Sequence, residues 1–236
     1  MQFKPSKNHS NRRNYNWLAY ELFDRFIEKY KIYYNGIVVD LGCGEAPYKE
    51  FICQYCNKYI GVDWSKSLHN SKADVISDLN KEINLQSEFA DVVISFSVME
   101  HLYNPQVFLN EAYRIIKHNG KLIIQIPWQW WIHEEPYDYY RYSPYILKKM
   151  LETSGFQNIN IEPMCGFFSM ITLKTNYFMC RVIGLKIIKK LRLTKFLNIL
   201  FIPIWAVNQR IAPLLDKLDK NWELETAGFF VTAIKM

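Results

Sequence analysis

Residues 38–47, Val38-Val39-Asp40-Leu41-Gly42-Cys43-Gly44-Glu45-Ala46-Pro47, constrain what this chain can fold into more than any other stretch. Apolar residues run into Asp40, two glycines follow one residue apart, and then a proline. A buried strand therefore stops at a tight loop and a helix begins, with Pro47 suited to its first turn. Gly42 and Gly44 let the backbone approach a ligand closely, so the unit is a nucleotide-type cradle. A dinucleotide fingerprint calls for a third glycine three residues past Gly44, and that position is Pro47. Asp40 also sets a carboxylate beside the loop, which repels a pyrophosphate and suits a positively charged ligand. Both features turn the reading away from NAD and toward an adenosine that carries a sulfonium.

The downstream spacing repeats the argument. Lys58 to Asp63 reads as a second strand ending in an acid about 20 residues past the glycines, where a carboxylate reaches ribose hydroxyls in a βαβ unit. Asp63 is then the ribose ligand, with Trp64 beside it. Ala73 to Ser77 reads as a third strand ending at Asp78-Leu79, and Asp91 to Phe96 as a fourth running into Ser97-Val98-Met99-Glu100-His101. A helix from Pro105 to Lys117, a turn at Asn119-Gly120 and a strand from Lys121 to Ile126 follow. Strands that alternate with helices predict a parallel sheet covered on both faces. Before all of this, Leu18, Leu22, Phe26 and Ile27 recur at helical spacing between Tyr15 and Tyr30 and predict a helix packed on the sheet.

The segments VVDLGCGEAPY, YIGVD, ADVISDLN, DVVISFSVMEHLYNP and EAYRIIKHNGKLIIQIP, in this order, resemble a class I S-adenosylmethionine-dependent methyltransferase of the type 11 group. The resemblance covers residues 36–163 and the last strand. It implies a doubly wound, Rossmann-like sheet of seven strands, the last inserted antiparallel, and S-adenosylmethionine as cofactor. Asp40, Gly42 and Gly44 would hold the methionine end, Asp63 the ribose, and Asp78 and Leu79 the adenine, while Ser95 would line the floor. HEEPYDYYRYSPYILKKMLETSGF is similar to a segment of methyltransferases from bacterial surface-polysaccharide clusters.

Composition supports one domain, residues 1–236, with an insertion at 164–218 before the last strand. Five cysteines and no apolar leader fit a reducing, cytoplasmic compartment. The first 14 residues, with Lys4, Lys7, Arg12 and Arg13, are polar and read as mobile. Between Glu162 and Asp216 there is no acidic residue, while Lys174, Arg181, Lys186, Lys189, Lys190, Arg192, Lys195 and Arg210 supply eight positive charges, more than the net +6 of the whole chain. Phe196 to Gln209 is uncharged and largely apolar, and shorter than the roughly 20 residues of a membrane span. The insertion reads either as a lid or dimer surface with a solvated basic face, or as an element lying in the interface of an anionic membrane, on the inner face of the plasma membrane.

His133 is the first candidate for a base toward a hydroxyl acceptor and His101 the second, since imidazole is best matched to that proton transfer near neutrality. A helix-start histidine bonded to backbone is the plain reading of His101. His133, Glu134, Glu135 and Asp138 combine metal-binding side chains, but nothing in the sequence fixes their geometry, and no metal is expected. Cys53 and Cys56 have zinc-ligand spacing without a second pair, and read as buried on one helix face. The rings from Trp128 to Tyr145 suit a small-molecule, glycan or lipid-linked acceptor, or serve core and lid packing. Nucleic acid is disfavoured, because the basic excess lies in the insertion and not beside these rings. The rival functions are an NAD-dependent oxidoreductase and a non-catalytic, membrane-associated protein that keeps a vestigial methyltransferase fold.

Overall fold

A computed structural model describes residues 4–9, 12, 15–186, 190, 193–218, 221 and 224–236. Strands β1 (Ile37–Leu41), β2 (Lys58–Asp63), β3 (Val75–Ile76), β4 (Ala90–Phe96), β5 (Ile116–Pro127), β6 (Phe156–Pro163) and β7 (Gly228–Lys235) form one sheet in the order β3-β2-β1-β4-β5-β7-β6. The first five pair in parallel, and β7 enters antiparallel between β5 and β6. Strand order reverses beside β1, which is flanked by β2 on one side and β4 on the other. Open α/β sheets hold ligands at that reversal, outside the carboxyl ends of the strands.

The strands bury both faces. Val39, Leu41, Val93, Leu122 and Ile124 join one core with Phe108, Leu109, Leu147 and Leu151 from helices α3 (Pro105–Ile115) and α4 (Pro144–Thr153). Val38, Val92, Ile94 and Ile123, one residue out of phase, join a second core on the opposite face. Helix α1 (Trp17–Lys29) contributes Ile27 there, and the short α2 (Lys49–Ile52) contributes Phe51 and Ile52. The period of two along each strand sends alternate side chains to opposite helix layers.

Between β6 and β7 the described residues include two long helices, α5 (Phe167–Gly184) and α6 (Thr194–Leu215), that pack on each other where the sequence predicts an insertion. No helix among the described residues is long and apolar enough to cross a membrane. Of the basic side chains counted in the sequence, Lys189 and Arg192 lie outside the described residues, as does Arg13.

Several local expectations change. The helix after the glycine loop starts at Lys49, because Ala46 takes a left-handed backbone (φ 50°) and leaves Pro47 in a turn. Its end at Ile52 leaves Cys53 exposed and Cys56 half-buried, so the two cysteines are not a buried helical pair. The third strand shrinks to two residues. The Asn119-Gly120 turn is absorbed into β5 as a bulge, where the register against β4 jumps between Ala90↔Ile116 and Val92↔Lys121 and Asn119 adopts φ 63°. The described part of the N-terminal segment is docked, not mobile. Ser6 is fully buried and its amide donates to Asp24, while Arg12 pairs with Glu21 and with Asp24, all on α1.

Candidate functional site

A cavity of about 590 Å³ opens at the carboxyl edge of β1, β2 and β4. The glycine loop forms one wall. Gly42 sits at φ 81°, and a Cβ there would lie 2.4 Å from the Val98 side chain, so only glycine lets the turn after β4 pack against the loop. The amides of Gly42 and Cys43 both donate to the Val62 carbonyl, tying the loop to the end of β2. Asp40, the fourth residue of β1, is almost fully buried and accepts a hydrogen bond from the Tyr59 hydroxyl. Burial pushes its carboxyl up to about 7, with Asp63 adding to the rise and Tyr59 opposing it.

Asp63 ends β2 in the same cavity. Its Oδ1 accepts the Trp64 amide at 2.8 Å, while Oδ2 is buried with no hydrogen-bond partner among the described residues. That orphaned acceptor is what a ribose diol would satisfy. Trp64 lines the cavity and meets the Tyr137 ring edge to face at 5.2 Å. Asp78 and Leu79 line it too. Although burial opposes it, hydrogen bonds from Asn80 and Lys81 hold the Asp78 carboxyl below its usual range, so it stays ionised and fixed. Ser95 does not reach the cavity. Its hydroxyl donates to the Leu41 carbonyl at 2.6 Å inside the sheet, and the next two residues, Phe96 and Ser97, line the wall in its place.

The turn after β4 and the loop after β5 supply the opposite end. His101 Nδ1 lies 2.9 Å from the Tyr137 carbonyl and His133 Nδ1 3.2 Å from that of Trp131, and the two rings meet at 4.8 Å and 74°. A carbonyl only accepts, so each Nδ1 carries a proton, and in the neutral tautomer of each ring the lone pair is on Nε2. Burial first, then the neighbouring His101, lowers the His133 pKa, which keeps this imidazole neutral at pH 7. Asp138 holds the loop, because its carboxylate accepts the His133 amide at 2.9 Å and pairs with both terminal nitrogens of Arg141. Despite burial, those bonds bring Asp138 down to about 2. Of the side chains that the sequence groups around His133, Glu135 is exposed, and Asp138 pairs with Arg141 while its Oδ2 also lies 3.3 Å from His133 Nδ1.

Several cavity residues escaped the sequence reading. Glu100 stood there only as a neighbour of His101, yet it is fully buried at this end, and burial raises its carboxyl to about 8. Ser97, with a left-handed backbone (φ 54°), donates its hydroxyl to Gln125 at 2.7 Å, joining the ends of β4 and β5 at the wall. An acid four residues past an apolar strand was the available signal for Glu100; a lone glutamine inside β5 was the signal for Gln125.

Residues 39–124 match the family model described as a methyltransferase domain. The chain is 24% identical over 143 residues to a Mycolicibacterium smegmatis protein described as a probable S-adenosylmethionine-dependent methyltransferase, covering 56% of this chain and 54% of that protein. It is 31% identical over 97 residues to the ubiquinone biosynthesis O-methyltransferase of Bradyrhizobium diazoefficiens, covering 37% of this chain and 38% of the other. The match thus spans about half the length of these curated relatives or less. In three dimensions the fold superposes on a SAM-dependent methyltransferase from Archaeoglobus fulgidus with a TM-score of 0.58 at 20% identity, over 91% of this chain and 94% of that one. Residues 39–124 thus carry the likeness to a methyltransferase domain, and S-adenosylmethionine is the cofactor that the Mycolicibacterium relative's description names.

Proposed function

We propose that the protein transfers the methyl group of S-adenosylmethionine to a hydroxyl of a small-molecule or glycan/lipid-linked acceptor at the inner face of an anionic membrane, acting as one domain with residues 164–218 as its insertion. One observation carries the reading: Asp40, Asp63 and the glycine loop share a single cavity with the paired imidazoles of His101 and His133. The cofactor fits the first group, with Asp40 near its positive charges, Asp63 on the ribose and Asp78-Leu79 at the adenine. Held there, S-adenosylmethionine would supply its methyl to the acceptor oxygen, its sulfur would keep the electron pair of the broken bond, and it would depart as S-adenosylhomocysteine. The hydroxyl proton passes to Nε2 of His133, with His101 as the second choice. Alignment and exclusion of water supply the remaining acceleration, because the sulfonium is already a good leaving group. The Bradyrhizobium relative is by name an O-methyltransferase, which favours oxygen as the target.

The insertion supports an acceptor with an apolar portion. Trp131 stacks on Tyr177 of α5 at 3.8 Å and 3°, Tyr15 lies 6.5 Å from Tyr177 and 5.9 Å from Trp205 of α6, and Phe201 continues the row at 6.2 Å. Trp131 and Tyr15 line the cavity, so rings lead from it to α6. There Phe196, Ile199, Ile202, Val207 and Leu214 are each more than half exposed, beside the exposed Lys186, Lys190 and Lys195. An apolar face with a basic border suits an anionic lipid surface.

Labelled S-adenosylmethionine offered to candidate hydroxylated acceptors, lipid-linked glycans among them, tests the activity. In that assay His133→Ala should lower turnover by on the order of 10²–10⁴ and leave S-adenosylhomocysteine affinity unchanged. Full turnover in His133→Ala would remove the base assignment. No product from the parent protein with any hydroxylated acceptor would remove the hydroxyl.

A further inference from the structure

Glu100 is 0% exposed, and neither carboxyl oxygen has a hydrogen-bond partner among the described residues. A buried acid in that state carries a heavy desolvation penalty unless something neutralises it. Two imidazoles face it. Its Oε1 lies 3.7 Å from Nε2 of His101 and 3.9 Å from Nε2 of His133. The three ligand atoms all lie within 4.8 Å of one another, and His101 Nε2 makes no hydrogen bond. With both Nδ1 atoms beside backbone carbonyls, the Nε2 atoms are the ring nitrogens left beside the carboxyl.

We propose that Glu100, His101 and His133 bind a divalent transition-metal cation at the acceptor end of the cavity. Two neutral imidazoles and one carboxylate are a donor set for zinc and its first-row neighbours, whereas magnesium prefers oxygen ligands. The carbonyls of Tyr137 and Trp131 behind the two rings are the outer contacts that fix ligating histidines in the required tautomer. Ligand atoms around a tetrahedral zinc stand about 3.3 Å apart, so the two imidazole–carboxyl spacings of 3.7 and 3.9 Å close onto a cation by about half an ångström, and the two imidazole nitrogens, within 4.8 Å of each other, by up to about 1.5 Å. Glu100 and His101 belong to one turn after β4, and the loop that bears His133 is pinned to that turn by the Tyr139 amide on the Glu100 carbonyl, at 2.9 Å, and the Tyr142 hydroxyl on the Met99 carbonyl. Glu134, 3.8 Å from His101 Nε2, adds negative charge at the rim while pairing with His69.

Three protein ligands leave a coordination position open toward the cavity, as in catalytic and not structural sites. A hydroxyl bound there would give up its proton to solvent more readily, and the metal would replace the imidazoles in activating it. That use rests on the methyl-transfer reading; the site itself rests on its geometry alone.

Protein stripped with a chelator and titrated by calorimetry with zinc, manganese and magnesium chlorides tests the proposal. Zinc is expected to bind with one equivalent per chain and magnesium without stoichiometry, and cobalt(II) should give the visible absorption of a four- or five-coordinate site. His133→Ala and Glu100→Gln should each weaken zinc at least tenfold while S-adenosylhomocysteine affinity holds, which shows that the cavity is intact. Absence of one-to-one binding overturns the proposal and leaves a proton as what neutralises Glu100; equal zinc affinity in both variants also overturns it by placing the metal elsewhere. If the parent protein bound zinc but not S-adenosylhomocysteine, the methyl-transfer reading would fail and the metal site would stand.

Discussion

The side-chain oxygen of Gln209 accepts the backbone N–H of Leu18 at 2.9 Å, so a residue of α6 caps the first turn of α1. Asn16, at the usual capping position, makes no side-chain cap and instead donates to the Leu173 carbonyl of α5. The Gln209 amide group also donates to the Tyr15 carbonyl, as does Asn176. Gln209→Ala leaves the buried amide of Leu18 and part of the Tyr15 carbonyl unsatisfied, and should cost about 1–3 kcal/mol. In a chain of this size that lowers Tm by roughly 2–4 °C per kcal/mol. An unchanged melting curve would mean that the insertion is not docked on α1.

Asp40 opposes folding at neutral pH. Burial raises its folded pKa from 3.8 to about 7, so between those values the native state holds a proton that the unfolded chain has released. Stability from this group is complete below about pH 4 and is lost as pH rises through about 7. Asp40→Asn keeps an acceptor for Tyr59 and removes the titration. Its ligand-free form should melt higher than the parent at pH 8, by roughly 2–8 °C, and equal to it at pH 4. The same change should weaken S-adenosylmethionine, whose positive charges lose a carboxylate. Melting curves from pH 4 to 8 decide it, and parallel curves for parent and variant would show that Asp40 does not titrate in this window.

Asp63 offers the buried Oδ2 that has no partner among the described residues. Asp63→Ala should weaken both S-adenosylmethionine and S-adenosylhomocysteine by about 1.5–3 kcal/mol, the worth of hydrogen bonds to a charged acceptor. Calorimetry should find a drop of roughly ten- to a hundredfold. Equal affinity for parent and variant would displace the ribose from this acid.

The exposed face of α6 should bind vesicles that contain anionic lipid and release them as salt rises. Each basic residue near such a surface contributes about 1 kcal/mol, so changing Lys186, Lys190 and Lys195 to Gln should reduce partitioning by up to roughly a hundredfold. Phe196→Ser with Ile199→Ser should remove the salt-resistant part. Co-sedimentation with vesicles of graded anionic content measures both, and equal partitioning by all forms would leave α5 and α6 as a lid.

That Asp40, Gly42, Gly44 and Asp63 line one end of the cavity was legible because the signals are local. Asp40, Gly42, Gly44 and Asp63 sit at strand ends, and strand ends follow from apolar runs and the glycines that stop them. Ser95 lies off the cavity wall for a related reason: period two puts Ser95 and Phe96 on opposite faces of β4, and no property of the residues alone says which face lines the cavity. The acceptor end was only half legible. His101 and His133 could be named for their chemistry, but their approach to Glu100 depends on a loop returning from β5 to the turn after β4. Asp138 and Arg141 set that return through an ion pair that the run of tyrosines concealed.

The sequence by itself determined the alternating layers, the antiparallel last strand through its resemblance, the glycine cradle with its acids, and the absence of acidic residues between Glu162 and Asp216 that concentrates the net positive charge there. These are properties of neighbours in the chain, where backbone sterics, the periods of strand and helix, and charge counts act without regard to the rest of the molecule. Only the tertiary structure decided that the N-terminal segment is docked on α1, that Gln209 caps α1, that Asn119-Gly120 is a bulge and not a turn, and that Glu100 lies buried against two imidazoles. Each of these depends on groups far apart in sequence, and on which buried polar atom finds a partner once water has been excluded.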